Sequence, residues 1–325
     1  MLRFRFSRTG KRLAAVALVL LTAVPVRAQW LRVTEEGLRE SVEALCSPEL
    51  EGRAAGSRGD TLAARWIRDR LASYRGMRLL YEDGIGPFAE EGRGETVRSF
   101  NVAGWLEGND PVLRDEVIVV GAHYDHMGRQ GEGYDAEVLY GADDNASGTA
   151  LTLELAAELA RNRRELRRSV LVVLFGGEEA GLLGSRHFCE NPPLPQGKRI
   201  AGMFNFDMVG RLTTERGLLL LGADTACGPW AFLREIPPPL SELAPVHYER
   251  ETRAASDYLS FLRKGIPALC FNTGIHADYH KAADRPEKIN YYGMRLIADH
   301  ASAVLEKLVR EGAPLTPDGK AQEKR

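Results

Sequence analysis

The hydrophobic positions of the chain form short continuous runs that alternate with stretches of helical periodicity. Runs of four to eight mainly apolar residues are typical of strands buried on both faces of a sheet. They occupy residues 100–106, 116–120, 169–176, 200–206, 218–221 and 267–271. Apolar residues spaced three and four apart predict helices within 31–74, 147–162 and 294–309. A strand, a helix and a strand in succession predict a parallel crossover unit, and therefore an α/β fold.

The intervening segments carry turn and loop signals. The sequence Gly108-Asn109-Asp110-Pro111 predicts a turn that joins the first two strands as neighbours in the sheet. The glycine-rich segment 76–94 is expected to be an exposed connection. Asp60 and Thr61 are available to cap the helix predicted within 31–74. The proline-rich segment 234–255 has no clear periodicity, and we expect it to form a rim or lid over a site.

Length and charge limit the classes of protein to which the chain could belong. A chain of 325 residues can bury a full core, and α/β sheets of this size often form one domain. We expect a single domain at 29–312, a disordered polar tail at 313–325 and a monomer. The 43 Lys and Arg residues are balanced by 45 Asp and Glu residues, so the net charge is −2. Because nucleic-acid binding requires a basic surface, this balance argues against a nucleic-acid partner.

The N-terminus has the pattern of an export signal. Basic residues precede an apolar run at 13–24, and Val26-Arg27-Ala28 ends in the small residue that signal peptidases accept. We therefore predict a signal peptide at 1–28, a periplasmic or extracellular location, and no stable membrane anchor after cleavage. An uncleaved anchor helix is the alternative, but the run is shorter than the roughly 20 residues that span a bilayer, and Pro25 interrupts it.

Four cysteines are widely scattered along the chain, namely Cys46, Cys189, Cys227 and Cys270. An exported protein can form disulfides, so two bridges in any of three connectivities are open, as are buried thiols. No pair has the C-x-x-C spacing of structural zinc sites, which argues against a cysteine-bound metal.

Acidic residues and histidines follow the apolar strands, at the point where each strand ends or in the loop after it. They are His123, Asp125, Asp144, Glu178, Glu179, Asp207 and His280. Because the carboxyl ends of parallel strands meet at one edge of an open sheet, we expect these side chains to lie close together.

This set of side chains suits a pair of divalent metal ions. Imidazole with several carboxylates and no thiolate favours zinc, whereas shells made only of oxygen favour calcium or magnesium. Two histidines and three carboxylates suffice for two ions that share one bridging carboxylate, roughly 3.5–4 Å apart as in two-metal aminopeptidases. The sequence therefore predicts a dinuclear site.

Two short spacings suggest roles within the set. His123 and Asp125 are two residues apart, so in extended backbone they point the same way, and the carboxylate can fix the imidazole tautomer. Glu178 and Glu179 are adjacent, and Gly176-Gly177 allows the backbone to turn so that both reach one cavity. One glutamate can then bind metal while the other stays free as a base.

Five motifs in order resemble those of the co-catalytic zinc aminopeptidases, the family that also contains glutamate carboxypeptidase II and glutaminyl cyclase. They are Gly121-Ala122-His123-Tyr124-Asp125-His126, Gly141-Ala142-Asp143-Asp144-Asn145-Ala146-Ser147-Gly148, Gly177-Glu178-Glu179-Ala180-Gly181-Leu182-Leu183-Gly184-Ser185, Asn205-Phe206-Asp207-Met208-Val209-Gly210 and Tyr279-His280. The resemblance begins near Leu45 and includes Glu51-Gly52-Arg53. It implies a three-layer α/β/α sandwich with a mixed, largely parallel central sheet. We expect no room in this chain for the long protease-associated insertion of the carboxypeptidase branch.

The resemblance also implies a role for each residue. One zinc ion would be held by His123, Asp144 and Asp207, and the second by Asp144, Glu179 and His280, with Asp144 bridging. The remaining roles are Glu178 as general base, Asp125 as orienter of His123, Tyr279 as oxyanion donor, and a cis peptide bond at Asp144-Asn145. The last motif departs from the family, because Lys281-Ala282-Ala283-Asp284 replaces the usual Thr-Pro step after His280.

Several residues near the motifs keep two interpretations. His126 and His276 are each either structural or in contact with metal, and Asp143 is either a helix-entry acid or a ligand. Ser256 and Asp257 are either a turn and cap or part of a substrate pocket. We expect the other three histidines, His187, His247 and His300, to be structural.

The function that follows is hydrolysis of N-terminal peptide bonds in a peptide or aminoacyl substrate. Three alternatives remain: a single-zinc glutaminyl cyclase, a carboxypeptidase or dipeptidase of the same family, and an exported binding protein without turnover. Ser147-Gly148, usually absent from the cyclase branch, favours the peptidase, and the complete Glu178-Glu179 pair disfavours a binding protein. Specificity is expected to reside in the rim at 234–258 and in the loop around Gly274.

Overall fold

The computed structural model describes residues 30–92, 94–131, 133, 136–223, 244–249 and 255–310. The predicted signal segment 1–28, the tail 313–325, Cys227 and most of the 234–255 segment lie outside the described residues. The helices are α1 (Glu35–Leu45), α2 (Arg58–Ser73), α3 (Gly148–Arg161), α4 (Leu183–Glu190), α5 (Tyr258–Arg263) and α6 (Tyr291–Arg310). The strands are β1 (Arg78–Leu79), β2 (Ile85–Glu91), β3 (Thr96–Leu106), β4 (Glu116–His123), β5 (Arg129–Gln130), β6 (Glu137–Val138), β7 (Ser169–Phe175), β8 (Arg199–Phe206), β9 (Leu218–Leu221), β10 (Val246–Glu249) and β11 (Ala268–Asn272).

Nine of the described strands form one mixed sheet in the order β1-β3-β7-β4-β8-β11-β9-β10, with β2 paired to β3. The four central strands, β7, β4, β8 and β11, run parallel to one another. Antiparallel pairs flank them, between β3 and β7 on one side and between β11 and β9 on the other. The strands β5 and β6 form a separate two-stranded sheet. The predicted mixed sheet is confirmed, with its parallel part at the centre.

Alternate residues of β4 face two different helical layers. Ile118 and Val120 belong to a core that includes residues of α1, α2, α3 and α6, whereas Val117 and Val119 belong to a core that includes residues of α4 and α5. All eight residues of β4 are buried, because helices cover both faces of the sheet. The fold is therefore the expected α/β/α sandwich.

Two predictions about the strands are wrong. The strands at 100–106 and 116–120 are not neighbours, because β7 lies between β3 and β4. The segment 76–94 is not merely an exposed connection, since it contains β1 and also β2, which pairs along its whole length with β3. Phe88 of β2 is buried. A long partner strand therefore orders a glycine-rich sequence that local signals assign to a loop.

The helical stretch predicted at 31–74 contains two helices separated by a turn, and its predicted caps are wrong. The hydroxyl of Ser57 accepts a hydrogen bond of 3.1 Å from the Asp60 amide and caps α2. Asp60 instead accepts hydrogen bonds from the amide of Gly56 at 2.8 Å and from the hydroxyl of Tyr124 at 2.6 Å. This carboxylate therefore connects α2 to the residue that follows His123.

The described cysteines are free thiols, namely Cys46, Cys189 and Cys270. Of the two alternatives left open by the sequence, the structure shows thiols at these three positions. Within the described ranges, no helix is both long enough and apolar enough to cross a membrane.

Candidate metal centre

Three neighbouring parallel strands deliver the central residues of the site. β4 ends at His123, β8 ends just before Asp207, and β7 ends just before the Gly176-Gly177 turn that leads to Glu178. Their carboxyl ends lie side by side at one edge of the sheet, where open α/β folds place their ligands. The loops at 142–147 and 273–285 bring Asp144 and His280 to the same edge.

The first cluster joins one histidine to two aspartates. His123 Nε2 lies 3.5 Å from Asp144 Oδ1 and 3.5 Å from Asp207 Oδ1. The other ring nitrogen, Nδ1, lies 3.2 Å from the backbone carbonyl of Asp125, so donation from Nδ1 leaves Nε2 free as a ligand nitrogen. All three side chains are almost completely buried, with exposures of 1%, 3% and 6% for His123, Asp144 and Asp207.

The second cluster uses the other oxygen of Asp144. His280 Nε2 lies 3.0 Å from Asp144 Oδ2 and 3.3 Å from Glu179 Oε2. His126 Nδ1 lies 2.9 Å from Glu179 Oε1 and 3.9 Å from Asp144 Oδ2. The two oxygens of Asp144 thus face two different groups of donor atoms, as expected of a bridging carboxylate.

The donor atoms are arranged to coordinate metal ions and not to form hydrogen bonds with one another. Asp144 Oδ2, Asp207 Oδ1 and His280 Nε2 are buried and have no hydrogen-bond partner among the described residues, although ligand-type atoms lie within 3.5 Å of each. Buried polar atoms are normally hydrogen-bonded, so a convergent set without partners fits a cation-binding site. Imidazole and carboxylate donors without thiolate suit zinc.

Burial and mutual repulsion raise the pKa values of the carboxyl groups. Burial raises the pKa of Glu178 well above its usual range; the charge of His123 opposes this, and the charges of Asp257 and Asp207 add to it. Burial and repulsion from Glu179 raise the pKa of Asp144 to about 6. Because crowded carboxylates resist ionisation together, a bound cation would stabilise the ionised cluster.

The histidines of the two clusters are shifted toward the charged form. Burial lowers the pKa of His123, but the charge of Glu178 and the close approach of Asp125 and Asp207 raise it well above its usual value. The close approach of the Asp144 and Glu179 carboxylates raises the pKa of His280 to about 10. Both shifts arise from the surrounding carboxylates, whose negative charge would also favour a bound cation.

The segment that carries Asp144 is held in an unusual backbone conformation. The Asp144-Asn145 peptide bond is cis, as the family resemblance implies. Asp284 Oδ2 accepts hydrogen bonds from the backbone amides of Asp143 and Asp144, at 2.8 and 3.1 Å, and Asp284 Oδ1 pairs with Arg211 at 2.9 Å. Asp284, which ends the divergent last motif, therefore holds the backbone of Asp143 and Asp144 in place.

Asp125 contacts the turn that carries the two glutamates. Its carboxylate accepts hydrogen bonds from the backbone amides of Glu178 and Glu179, at 3.1 and 3.3 Å, and its Oδ1 lies 3.7 Å from His123 Nδ1. The turn is made possible by Gly177, whose φ of +70° strongly favours glycine. Asp125 thus links the histidine of one strand to the acidic turn of the next.

Four residues for which the sequence left two interpretations, Asp143, His276, Ser256 and Asp257, are buried or partly buried and have defined surroundings. Asp143 and His276 pair with each other, Oδ2 to Nε2 at 3.1 Å, and Asp143 also accepts a hydrogen bond of 2.6 Å from the Gly210 amide. Ser256 accepts a hydrogen bond of 2.7 Å from Asn205. Asp257 is fully buried, and its charge contributes to the raised pKa of Glu178.

Tyr279 stacks on the ring of His280, with centroids 3.7 Å apart. Burial and the charges of Asp144 and Glu179 raise the pKa of its hydroxyl. The hydroxyl therefore keeps its proton and can donate a hydrogen bond at neutral pH.

Sequence reasoning gave no role to two residues that shape the centre. Arg53 is fully buried and donates to the backbone carbonyl of Tyr124, and Asp284 holds the amide of Asp144. The sequence signal for Arg53 was its place in the Glu51-Gly52-Arg53 motif. The motif could not reveal the hydrogen-bond partners of Arg53, because they are distant in sequence. His126 was weighed as a metal contact, and its Nδ1 does reach the second cluster.

Comparison with known proteins gives one family and one fold. The model of peptidase family M28 matches residues 101–305. Leupeptin-inactivating enzyme 1 of Streptomyces exfoliatus is 28% identical over 196 residues, which are 58% of this chain and 38% of that protein. Aminopeptidase YwaD of Bacillus subtilis is 29% identical over 213 residues, which are 63% of this chain and 44% of that protein. The matched regions thus span less than half the length of these relatives.

Solved structures share the architecture at low sequence identity. The aminopeptidase from Aneurinibacillus sp. strain AM-1 has a TM-score of 0.63 and 19% identity, over 90% of this chain and 98% of that chain. The glutaminyl cyclase of Porphyromonas gingivalis has a TM-score of 0.64 and 15% identity, over 85% of this chain and 99% of that chain. At these identities the likeness establishes the fold.

Proposed function

Because the chain belongs to peptidase family M28, we propose that it is a zinc-dependent aminopeptidase that hydrolyses N-terminal peptide bonds at a dinuclear site. The observation that carries this proposal is the placement of Asp144, whose Oδ1 faces His123 at 3.5 Å while its Oδ2 faces His280 at 3.0 Å. A carboxylate that presents each oxygen to a separate set of ligands suits two ions that share one bridge.

The ligands divide between two ions. His123, Asp144 and Asp207 would hold one zinc ion, and Asp144, Glu179 and His280 would hold the other. Zinc supplies Lewis-acid chemistry at such a site, by lowering the pKa of water and by polarising a carbonyl group. Burial, with the charges of Asp257 and Asp207, raises the pKa of Glu178, and a cation bound nearby would favour its ionised form.

Glu178 is the proposed general base. It is the glutamate of the pair that lies outside both ligand clusters, and its backbone amide is held by Asp125 at 3.1 Å. In this role its carboxylate takes a proton from the attacking water and returns it to the leaving amine. Burial suits this work, because a desolvated carboxylate exchanges protons nearer to neutral pH.

Two further features favour a peptide substrate bound by its N-terminus. The protonated hydroxyl of Tyr279, beside His280, can donate to the oxyanion that forms on the scissile carbonyl. The buried carboxylates of the site, including Asp257, create a negative potential that attracts a free α-amino group. Ser256 lies next to Asp257 and holds Asn205, so it would support this pocket from behind.

We also propose that the N-terminal segment directs export of the protein. A basic stretch, an apolar run and Ala28 predict cleavage after residue 28 and release to the periplasm or the cell exterior. The mature chain would then act as a monomer on peptides outside the cytoplasm.

A single-zinc glutaminyl cyclase is the second candidate, since the Porphyromonas gingivalis cyclase shares this fold. The two candidates differ in metal content and in product. We expect the zinc-loaded protein to contain two ions per chain by elemental analysis and to release the chromophore from aminoacyl nitroanilides. One ion per chain, together with cyclisation of N-terminal glutamine and no nitroanilide hydrolysis, would replace the peptidase with the cyclase.

A further inference from the structure

We propose that His126 is a positioning residue for the metal ligand Glu179. The proposal rests on the proposed function, because it assigns Glu179 to a zinc ion. It goes beyond the ligand set that the family resemblance implies, in which His126 has no part.

The contact between the two side chains is short and shielded from water. His126 Nδ1 lies 2.9 Å from Glu179 Oε1, and the histidine is only 1% exposed. Because a carboxylate can only accept, Nδ1 donates this hydrogen bond. Hydrogen bonds to ionised groups are stronger than hydrogen bonds between neutral groups.

The bond selects which oxygen of Glu179 is presented to the metal. Oε1 is taken by His126, whereas Oε2 lies 3.3 Å from His280 Nε2, at the second cluster. Without the bond, the glutamate side chain could rotate between several conformers. His126 would therefore reduce the entropy lost when Glu179 binds zinc, as hydrogen bonds to metal-binding side chains commonly do.

The chain leaves space for this imidazole beside the bridging aspartate. Gly141 has a φ of +54°, and a Cβ atom built there would lie 2.4 Å from His126 Cγ and 2.2 Å from the carbonyl oxygen of Asp144. Any larger residue would collide with both. The backbone amide of His126 is also fixed, by a hydrogen bond of 3.3 Å to the carbonyl of Arg53.

Direct ligation by His126 is the competing arrangement. Nδ1 also lies 3.9 Å from Asp144 Oδ2, so the same nitrogen is near both carboxylates of the second cluster. The shorter distance to Glu179 and the presence of His280 between Asp144 and Glu179 favour the positioning role. The two roles predict different effects on zinc stoichiometry.

The test compares His126→Ala, His126→Asn and His126→Gln in the full chain. Asparagine places an N–H donor near the position of Nδ1, whereas glutamine places its polar atoms near Nε2. Zinc stoichiometry and the affinity of each site are measured by titrating the metal-free protein with zinc in the presence of a competing chelator. His187→Ala is the matched control, because His187 Nδ1 makes the same 2.9 Å contact with Glu90 Oε1 away from the centre.

We expect all variants to bind two zinc ions, with the affinity of one of the two sites reduced about 10–100-fold in His126→Ala and His126→Gln. His126→Asn should restore most of this affinity, and His187→Ala should match the wild type. Unchanged affinity in His126→Ala, or loss of one ion from His126→Ala and His126→Asn alike, would overturn the proposal. A wild-type protein that binds one ion instead contradicts the dinuclear centre itself, so the two failures are distinguishable.

Discussion

The guanidinium of Arg53 donates a hydrogen bond of 2.7 Å to the backbone carbonyl of Tyr124, the residue between His123 and Asp125. The same side chain donates to the carbonyls of Tyr140 at 2.9 Å and Gly141 at 3.0 Å, just before the loop of Asp144. The buried guanidinium of Arg53 therefore connects the segment that contains His123 to the segment that leads to Asp144.

Replacing Arg53 with methionine should destabilise the protein by roughly 3–5 kcal/mol, because each hydrogen bond to a charged group contributes about 1.5–3 kcal/mol and the losses are not additive. The free energy of unfolding is measured by urea denaturation. Arg65→Met, on the exposed side of α2, is the control and should change stability by no more than about 0.5 kcal/mol. Equal stabilities of the two variants would show that Arg53 does not hold these loops.

Replacing Glu178 with glutamine should reduce kcat by about 10²–10⁴-fold, because the amide cannot accept the proton of the attacking water. Zinc content should remain two ions per chain, since Glu178 lies outside both ligand clusters. Steady-state kinetics on an aminoacyl nitroanilide and elemental analysis measure the two quantities. Glu82→Gln, at an exposed position, should behave as wild type. Full activity in metal-loaded Glu178→Gln would remove Glu178 from the role of base.

Replacing Asp284 with asparagine should weaken zinc binding about 10–100-fold, because one oxygen of Asp284 holds the amide of the bridging Asp144. The asparagine amide has one oxygen where Asp284 has two. Its NH₂ group must therefore face either Arg211 or the backbone N–H groups, and it can accept a hydrogen bond from neither. Chelator competition measures the affinity. Asp278→Asn is a matched control, since Asp278 also pairs with Arg211 but is partly exposed. If both variants lost affinity equally, the effect would arise from Arg211 and not from the loop of Asp144.

The protein should lose stability as the pH falls from about 6.5 toward 4, in part because of His300. Burial lowers the pKa of His300 from 6.5 to about 4, so in this window the unfolded chain binds a proton that the folded chain does not. Each such proton reduces stability by at most about 1.4 kcal/mol per pH unit. His300→Leu should therefore show a smaller decrease between pH 7 and pH 5 in urea denaturation. His247→Leu, at an exposed position, should keep the wild-type slope, and identical slopes for all three proteins would refute the assignment.

The candidate site residues could be identified in the sequence because they lie at or after the ends of apolar strands. His123 is the last residue of β4, and Glu178 and Asp207 follow β7 and β8; all three strands are recognisable as buried from their continuous apolar runs. Parallel strands place their carboxyl ends at one edge, so a local pattern was sufficient to predict that these side chains converge. The same pattern placed Asp144 and His280 at this edge, and the resemblance to a family, whose fold the comparisons bear out, gave them their expected roles.

Only the tertiary structure decided the order of the strands and the contacts that fix the ligands. β7 inserts between β3 and β4, although the connecting turn suggested direct neighbours. Asp284 reaches the amide of Asp143 across 141 residues of sequence, Arg53 reaches Tyr124 across 71, and His126 reaches Glu179 across 53. Periodicity and turn signals are short-range, whereas these hydrogen bonds depend on where the packed layers bring distant segments together. The sequence by itself therefore determined which residues could bind metal, and the fold decided which atoms hold them in place.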